Sequence, residues 1–169
     1  TQPDVGVDVA GENRARGEWD VAAVPFTGAV RALRVGGAGV ITIPAAATSK
    51  PTKSTGKSIF MNSKFGGRQL HYSRNGKPQD FEYTFDAPRA GTYALTARVV
   101  TPSWKQNLQV SVNGTGHPEK IALPFTAGMW GETESLKVVL VKGRNVLSFA
   151  RNGPVKGVTI RNFTLTPIE

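Results

Sequence analysis

The chain has 169 residues, 21 Lys or Arg against 12 Asp or Glu, a formal charge of +9 and no cysteine. That length suits one domain with a sizeable core. The missing thiols exclude disulfides, thiolate metal sites and cysteine nucleophiles, and no apolar run reaches the roughly 20 residues of a membrane-spanning helix.

The first forty residues carry weak strand signals in VGVDV and EWDVAAV, then RALRVGGAG, which reads as a linker or a peripheral hairpin. We expect 1–39 to be a linker or peripheral segment within a longer polypeptide and 40–169 to be the folded module. Nine basic residues fall within 21–79 (Arg31, Arg34, Lys50, Lys53, Lys57, Lys64, Arg68, Arg74, Lys77), and no acidic one does. The remaining chain balances twelve basic against twelve acidic residues. Either a solvated lysine-rich loop or a positive surface for a polyanion accounts for this asymmetry.

Within that stretch, PTKSTGKS at 51–58 approaches a phosphate-binding loop. Gly56, Lys57 and Ser58 fit its second half, but Pro51 stands where the first glycine belongs. Proline has no N–H and a fixed φ, so the cradle loses a donor and its flexible corner. A nucleotide is not expected there, and the lysines are better read as part of a cationic surface.

From 81 onward strand signals dominate: short Val, Ile, Thr, Tyr and Phe runs parted by Gly, Pro and Asn. FEYTF (81–85) alternates, DAPRAG turns, and TYALTARVV (92–100) alternates again with Tyr93, Leu95, Ala97 and Val99 on one face. TPSWKQN is a loop, and LQVSVNG (108–114) ends in the hairpin-favouring pair Asn113-Gly114. EKIALPF (119–125), LKVVLV (136–141), NVLSFAR (145–151) and VTIRNFTLTPI (158–168) complete the series, with KGRN as a tight turn and NGPVKG as a loop. Strands so spaced, with 11 prolines and 19 glycines between them, predict an all-β sandwich.

YTFDAPRAGTYALTARVV followed by LQVSVNG resembles the strand–turn–strand run of family 6 and family 35 carbohydrate-binding modules. WGETESLKVVLVKGRNVLSFAR is similar to their tryptophan loop leading into L-x-x-G-x-N and a strand, and GVTIRNFTLTP resembles their closing strand. The resemblance spans about 40–167. It implies a β-jelly-roll that binds a polysaccharide without cofactor or catalysis, appended to a secreted carbohydrate-active enzyme. Two departures bear on the structural calcium such modules often hold. The first strand reads ITIPAAA without a carboxylate, and Arg161 occupies the last-strand aspartate position. Calcium takes oxygen ligands, usually with charged carboxylates among them, so no metal is expected.

The resemblance places the ligand at the loop end of the sandwich, with Trp130 near the stacking tryptophan and Asn152 in the closing loop. Sugar rings stack their C–H faces on aromatic planes, and polar groups meet the hydroxyls at the edge. Trp104 beside Lys105 is a second platform or a plug for its loop. Trp19 reads as packing for the N-terminal segment. Tyr72 stands before an Asn-Gly turn, and its neighbour His71 reads as a structural histidine. Arg68, Arg74, Lys64 and Lys156 could pair with carboxylate or sulfate, or be solvated surface charge. A +9 module gains from uronic-acid or sulfated polysaccharides through steering and charge-assisted hydrogen bonds, and nothing from neutral ones. The expected function is therefore binding of an acidic polysaccharide.

The rivals are weaker. No H-E-x-x-H, G-x-S-x-G or cysteine–histidine arrangement appears, and Asp80, Glu82 and Asp86 alternate on one strand face. His71, Tyr72 and Arg74 superficially offer a lyase trio. Nucleic acid would suit the charge, but no recognised motif accompanies it. A sandwich that merely packs on a catalytic domain is the main alternative.

Overall fold

The computed structural model describes residues 34–35, 39–56, 58–63, 67–72, 80–151 and 157–168, with the backbone alone at 34–35 and 115–117. Twelve strands follow in chain order. They are β1 (Arg34–Val35), β2 (Ile41–Pro44), β3 (Ser58–Asn62), β4 (Arg68–Tyr72), β5 (Phe81–Ala87) and β6 (Gly91–Val100), then β7 (Gln106–Val112), β8 (Thr115–Leu123), β9 (Gly131–Glu132), β10 (Leu136–Leu140), β11 (Gly143–Ala150) and β12 (Val158–Pro167). No α-helix occurs among the described residues.

The strands form two sheets. In the smaller, the order is β5-β11-β7-β8. In the larger, β12 is the spine. β6 pairs along one of its sides, while β4 takes the first half of the other side and β2 the second. β3 pairs β4, β1 pairs β2, and β9 and β10 both pair β6. Every named pairing is antiparallel, which lets one face of each sheet meet the core while the other meets water. The alternation read from the sequence is thus the core itself: Tyr93, Leu95, Ala97 and Val99 are all buried. RALRVGGAG forms the short β1–β2 pairing, with Arg34 opposite Thr42.

Aromatic rings fill the space between the sheets. Phe81 stacks on Phe149 (5.2 Å) and Phe149 on Phe163 (4.3 Å), while Tyr83 meets Phe163 edge-on at 5.3 Å. The Tyr83 hydroxyl donates to the Ala45 carbonyl at 2.6 Å, so its one polar atom is satisfied in the interior. Burial pushes its pKa well up.

β12 needs a bulge. Val158 and Ile160 face inward, then Phe163 and Leu165, a break in the period of two. The register shift between Ile160 and Asn162 absorbs the extra residue, Arg161. The Arg161 carbonyl accepts from the Ala45 amide at 3.0 Å.

Two turns define the opposite end of the smaller sheet. Asn113 and Gly114 both have positive φ, 52° and 66°, as a type I′ hairpin requires. Asn145 locks the β10–β11 turn. Its Nδ2 donates to the carbonyls of Val141 and Gly143, both at 2.8 Å, and its Oδ1 accepts from the Val141 amide at 3.0 Å and from Asn113 Nδ2 at 3.1 Å. The L-x-x-G-x-N pattern has a physical cause in this fully buried amide.

The registers fix which loops share an end. The end of β6 and the start of β12 meet at Val100–Thr159, and the end of β4 meets β12 at Tyr72–Val158. In the other sheet Phe149 near the end of β11 faces Phe81 at the start of β5, and Gln106 at the start of β7 faces Leu123 at the end of β8. The β6–β7, β8–β9, β4–β5 and β11–β12 connections therefore gather at one end.

Candidate functional site

At that end the β6–β7 and β8–β9 connections are sewn together through two threonines. Thr126 Oγ1 accepts from the Thr101 amide at 2.9 Å, the Thr126 amide donates to the Thr101 carbonyl at 3.3 Å, and Thr101 Oγ1 donates to the Pro124 carbonyl. Thr101 is fully buried, so these bonds are shielded from competing water. The Thr126–Met129 turn closes with a 2.9 Å amide-to-carbonyl bond, and Ala127 and Gly128 both take positive φ within it. The chain then enters β9 at Gly131, where a Cβ would sit 3.0 Å from Thr126 Cγ2. Only glycine lets the strand pass that close without displacing Thr126.

This seam brings two rings from different loops together. Trp104 stacks on Phe125 with centroids 4.4 Å apart and planes 27° from parallel. Trp104 is 72% exposed, and Phe125 (38%) and Met129 (73%) are exposed on the same pair of loops. An indole so presented offers a plane for a sugar's C–H face. Lys105, next in sequence, is exposed and holds φ at 56°, placing a cation beside the platform.

Behind the β6–β7 connection lies a polar brace. Gln106 Nε2 donates to the Ser103 carbonyl at 3.3 Å, and Arg151 Nη2 donates to Gln106 Oε1. The Arg151 guanidinium lies 5.6 Å from the centre of the Tyr72 ring and is only 3% exposed. Burial lowers its pKa from the ordinary arginine value, with Tyr72 acting in the opposite direction.

Trp130 occupies the β8–β9 connection and is partly buried, one residue before β9. Trp104, Lys105 and Trp130 therefore lie at the same end, as the loop-end expectation requires. Tyr72 is a correction: it is fully buried, packed against Phe81 at 6.0 Å, and has no surface for a sugar. A hydroxyl so enclosed is equally unsuited to act as a lyase base. Arg68 is a second correction. It sits at the far end of β4, beside the β3–β4 connection, with its guanidinium 5.7 Å over Phe60, and does not join Trp104. Asn152, Arg74 and Lys156 lie outside the described residues, as do Trp19 and Lys64.

His71 faces away from the core on β4, its Nδ1 2.9 Å from Thr159 Oγ1 on β12. Burial lowers its pKa. Glu82 pairs with Lys50 at 3.2 Å, and Asp80 and Asp86 are exposed. Among the described residues, no three His, Asp or Glu side chains come together as a metal would need. Phe125 escaped the sequence reading because EKIALPF was taken as one strand. The signal was Pro124, which lacks the N–H to continue a ladder, and β8 stops at Leu123.

The chain has the β-sandwich fold of family 6 and family 35 carbohydrate-binding modules. It superposes on the family 6 module from Clostridium stercorarium, solved with cellobiose, at a TM-score of 0.60 and 17% identity, over 85% of this chain and 100% of that one. The family 35 module of Paenibacillus barcinonensis aligns at a TM-score of 0.59 and 21% identity, covering 75% of this chain and 98% of that one. The C-terminal family 6 module of a laminarinase from Zobellia galactanivorans aligns at 0.58 and 16%, over 75% and 98% respectively. The same sandwich also occurs in an insecticidal crystal protein, at 0.56 and 16% over 76% of this chain and 21% of that one. No family model matches the sequence, and no curated protein matches it.

Proposed function

We propose that this chain is a non-catalytic module that binds an acidic polysaccharide, uronic or sulfated, and holds an appended enzyme to it. The observation that carries the reading is the exposed Trp104 ring stacked on Phe125 at the loop end, with Lys105 beside it. A bare indole in water is unfavourable apolar surface, and a sugar face is a partner that covers it without demanding a deep pocket. The net charge of +9 supports an anionic polymer over a neutral one. Targeting of an enzyme is supported by a relative of the fold: in a Podospora anserina mannanase of the GH26-CBM35 type, the region like this chain is 28% of the whole. Such a polymer would be met outside the cell, so the full polypeptide is secreted in this reading.

A second reading has its own observation. Val139 and Val141, at and just after the end of β10, are 69% and 52% exposed and could pack on a neighbouring domain. Affinity electrophoresis against neutral, uronic and sulfated polysaccharides and DNA, at two salt concentrations, separates the possibilities. Retardation by acidic glycans alone is expected. Equal retardation by DNA would reduce the interaction to generic charge, and no retardation would favour the packing role.

A further inference from the structure

β3 ends the larger sheet, with β4 on one side and no further strand on the other. The direction of its amides follows from the hairpin. The Ser63 amide donates to the Gly67 carbonyl at 2.9 Å, and in an antiparallel ladder such inward pairs recur at every second residue. Met61 and Ile59 therefore turn their amides toward β4, and Ser58 and Phe60 turn theirs outward.

Those outward groups are already taken by the chain itself. The Phe60 amide donates to Ser54 Oγ at 2.9 Å and the Ser58 amide to Thr55 Oγ1 at 3.0 Å. The Ser58 carbonyl accepts from the Thr55 amide at 2.8 Å. Two adjacent hydroxyl residues thus occupy three consecutive pairing positions of the open edge. The strand they cover, SIFMN, carries Ile59 at 36% and Met61 at 42% exposure. Short, uncharged, apolar edge strands recruit a further strand unless something blocks them.

We infer that β3 is a latent strand-pairing surface whose partner is a second copy of this chain, and that Ser54 and Thr55 form the strap that holds it shut. The near-miss phosphate loop at 51–58 thereby acquires a role in which its Ser-Thr pair, rather than its lysines, is what matters. Two identical β3 edges can pair antiparallel about a two-fold axis, the usual symmetry of a dimer, once the hydroxyls are gone. The idea is independent of any glycan.

The test uses the full chain. Light scattering coupled to gel filtration is expected to give a monomer for the wild type and a doubled mass for the Ser54→Ala/Thr55→Ala variant. Adding Ile59→Lys to that variant should restore the monomer by setting like charges against each other across the new pair. A double variant of unchanged mass, or a dimer that survives Ile59→Lys, would overturn the inference. Should the variant not fold, amide hydrogen exchange on the wild type decides instead. Slow exchange at Ser58 and Phe60 is expected, and exchange at the rate of an open edge would refute the strap.

Discussion

Trp104 and Phe125 come from loops 21 residues apart in sequence yet stack at 4.4 Å, held by the Thr101–Thr126 seam beneath them. Because Trp104 is mostly solvent-exposed, its removal should alter binding far more than folding. Trp104→Ala is expected to leave the melting temperature within about 2 °C, as for surface substitutions generally. Phe125→Ala removes the support under the indole and should weaken glycan binding in the same direction. Thermal denaturation monitored by circular dichroism, run beside binding, checks the separation.

Asn145 offers the opposite case, a polar group whose loss should be felt only in stability. Asn145→Ala deletes four hydrogen bonds in a fully buried turn and leaves the carbonyls of Val141 and Gly143 without that donor. At roughly 1 kcal/mol for each bond, and more for buried groups left unpaired, the loss should be about 3–4 kcal/mol. Asn145→Asp keeps the acceptor but lacks the Nδ2 donor, so it should also destabilise. Urea titration measures both.

His71 gives a pH dependence of definite sign. Burial holds its folded pKa below the ordinary value of 6.5. Between those two values the unfolded chain binds the extra proton, so stability is full above the ordinary value and declines as pH falls through the folded one. The melting temperature should drop further between about pH 7.5 and pH 5 in the wild type than in His71→Gln, since the variant lacks this proton. A larger drop in the variant would reverse the assigned sign.

How much of this was legible in the sequence varied with the local physics. From Phe81 to Pro167 the period-two patterns gave strands whose ends shift by only a few residues in the structure, because each buries one face. The Asn113-Gly114 turn was equally plain, since few other pairs accept positive φ twice. β3 and β4 were harder. β3 is a half-exposed edge, and its apolar residues do not alternate cleanly. The bulge at Arg161 was visible only in hindsight, as the three-residue gap between Ile160 and Phe163. Of the candidate site, Trp104, Lys105 and Trp130 fall at one end. Tyr72 was misread because a tyrosine before a turn looks exposed, whereas β12 and the Arg151 guanidinium enclose it. Phe125 was hidden because its partner lies across a loop seam that no local pattern encodes.

The central claim is that an exposed indole and a cationic surface together take up an acidic polysaccharide. Isothermal titration of a soluble polyuronate into the wild type and into Trp104→Ala, each at low and at roughly physiological salt, tests it most directly. Wild-type affinity should fall as salt rises. Trp104→Ala should bind at least tenfold more weakly at either salt, about 1.4 kcal/mol or more. Equal affinity for the two proteins, or binding indifferent to salt, would contradict the account.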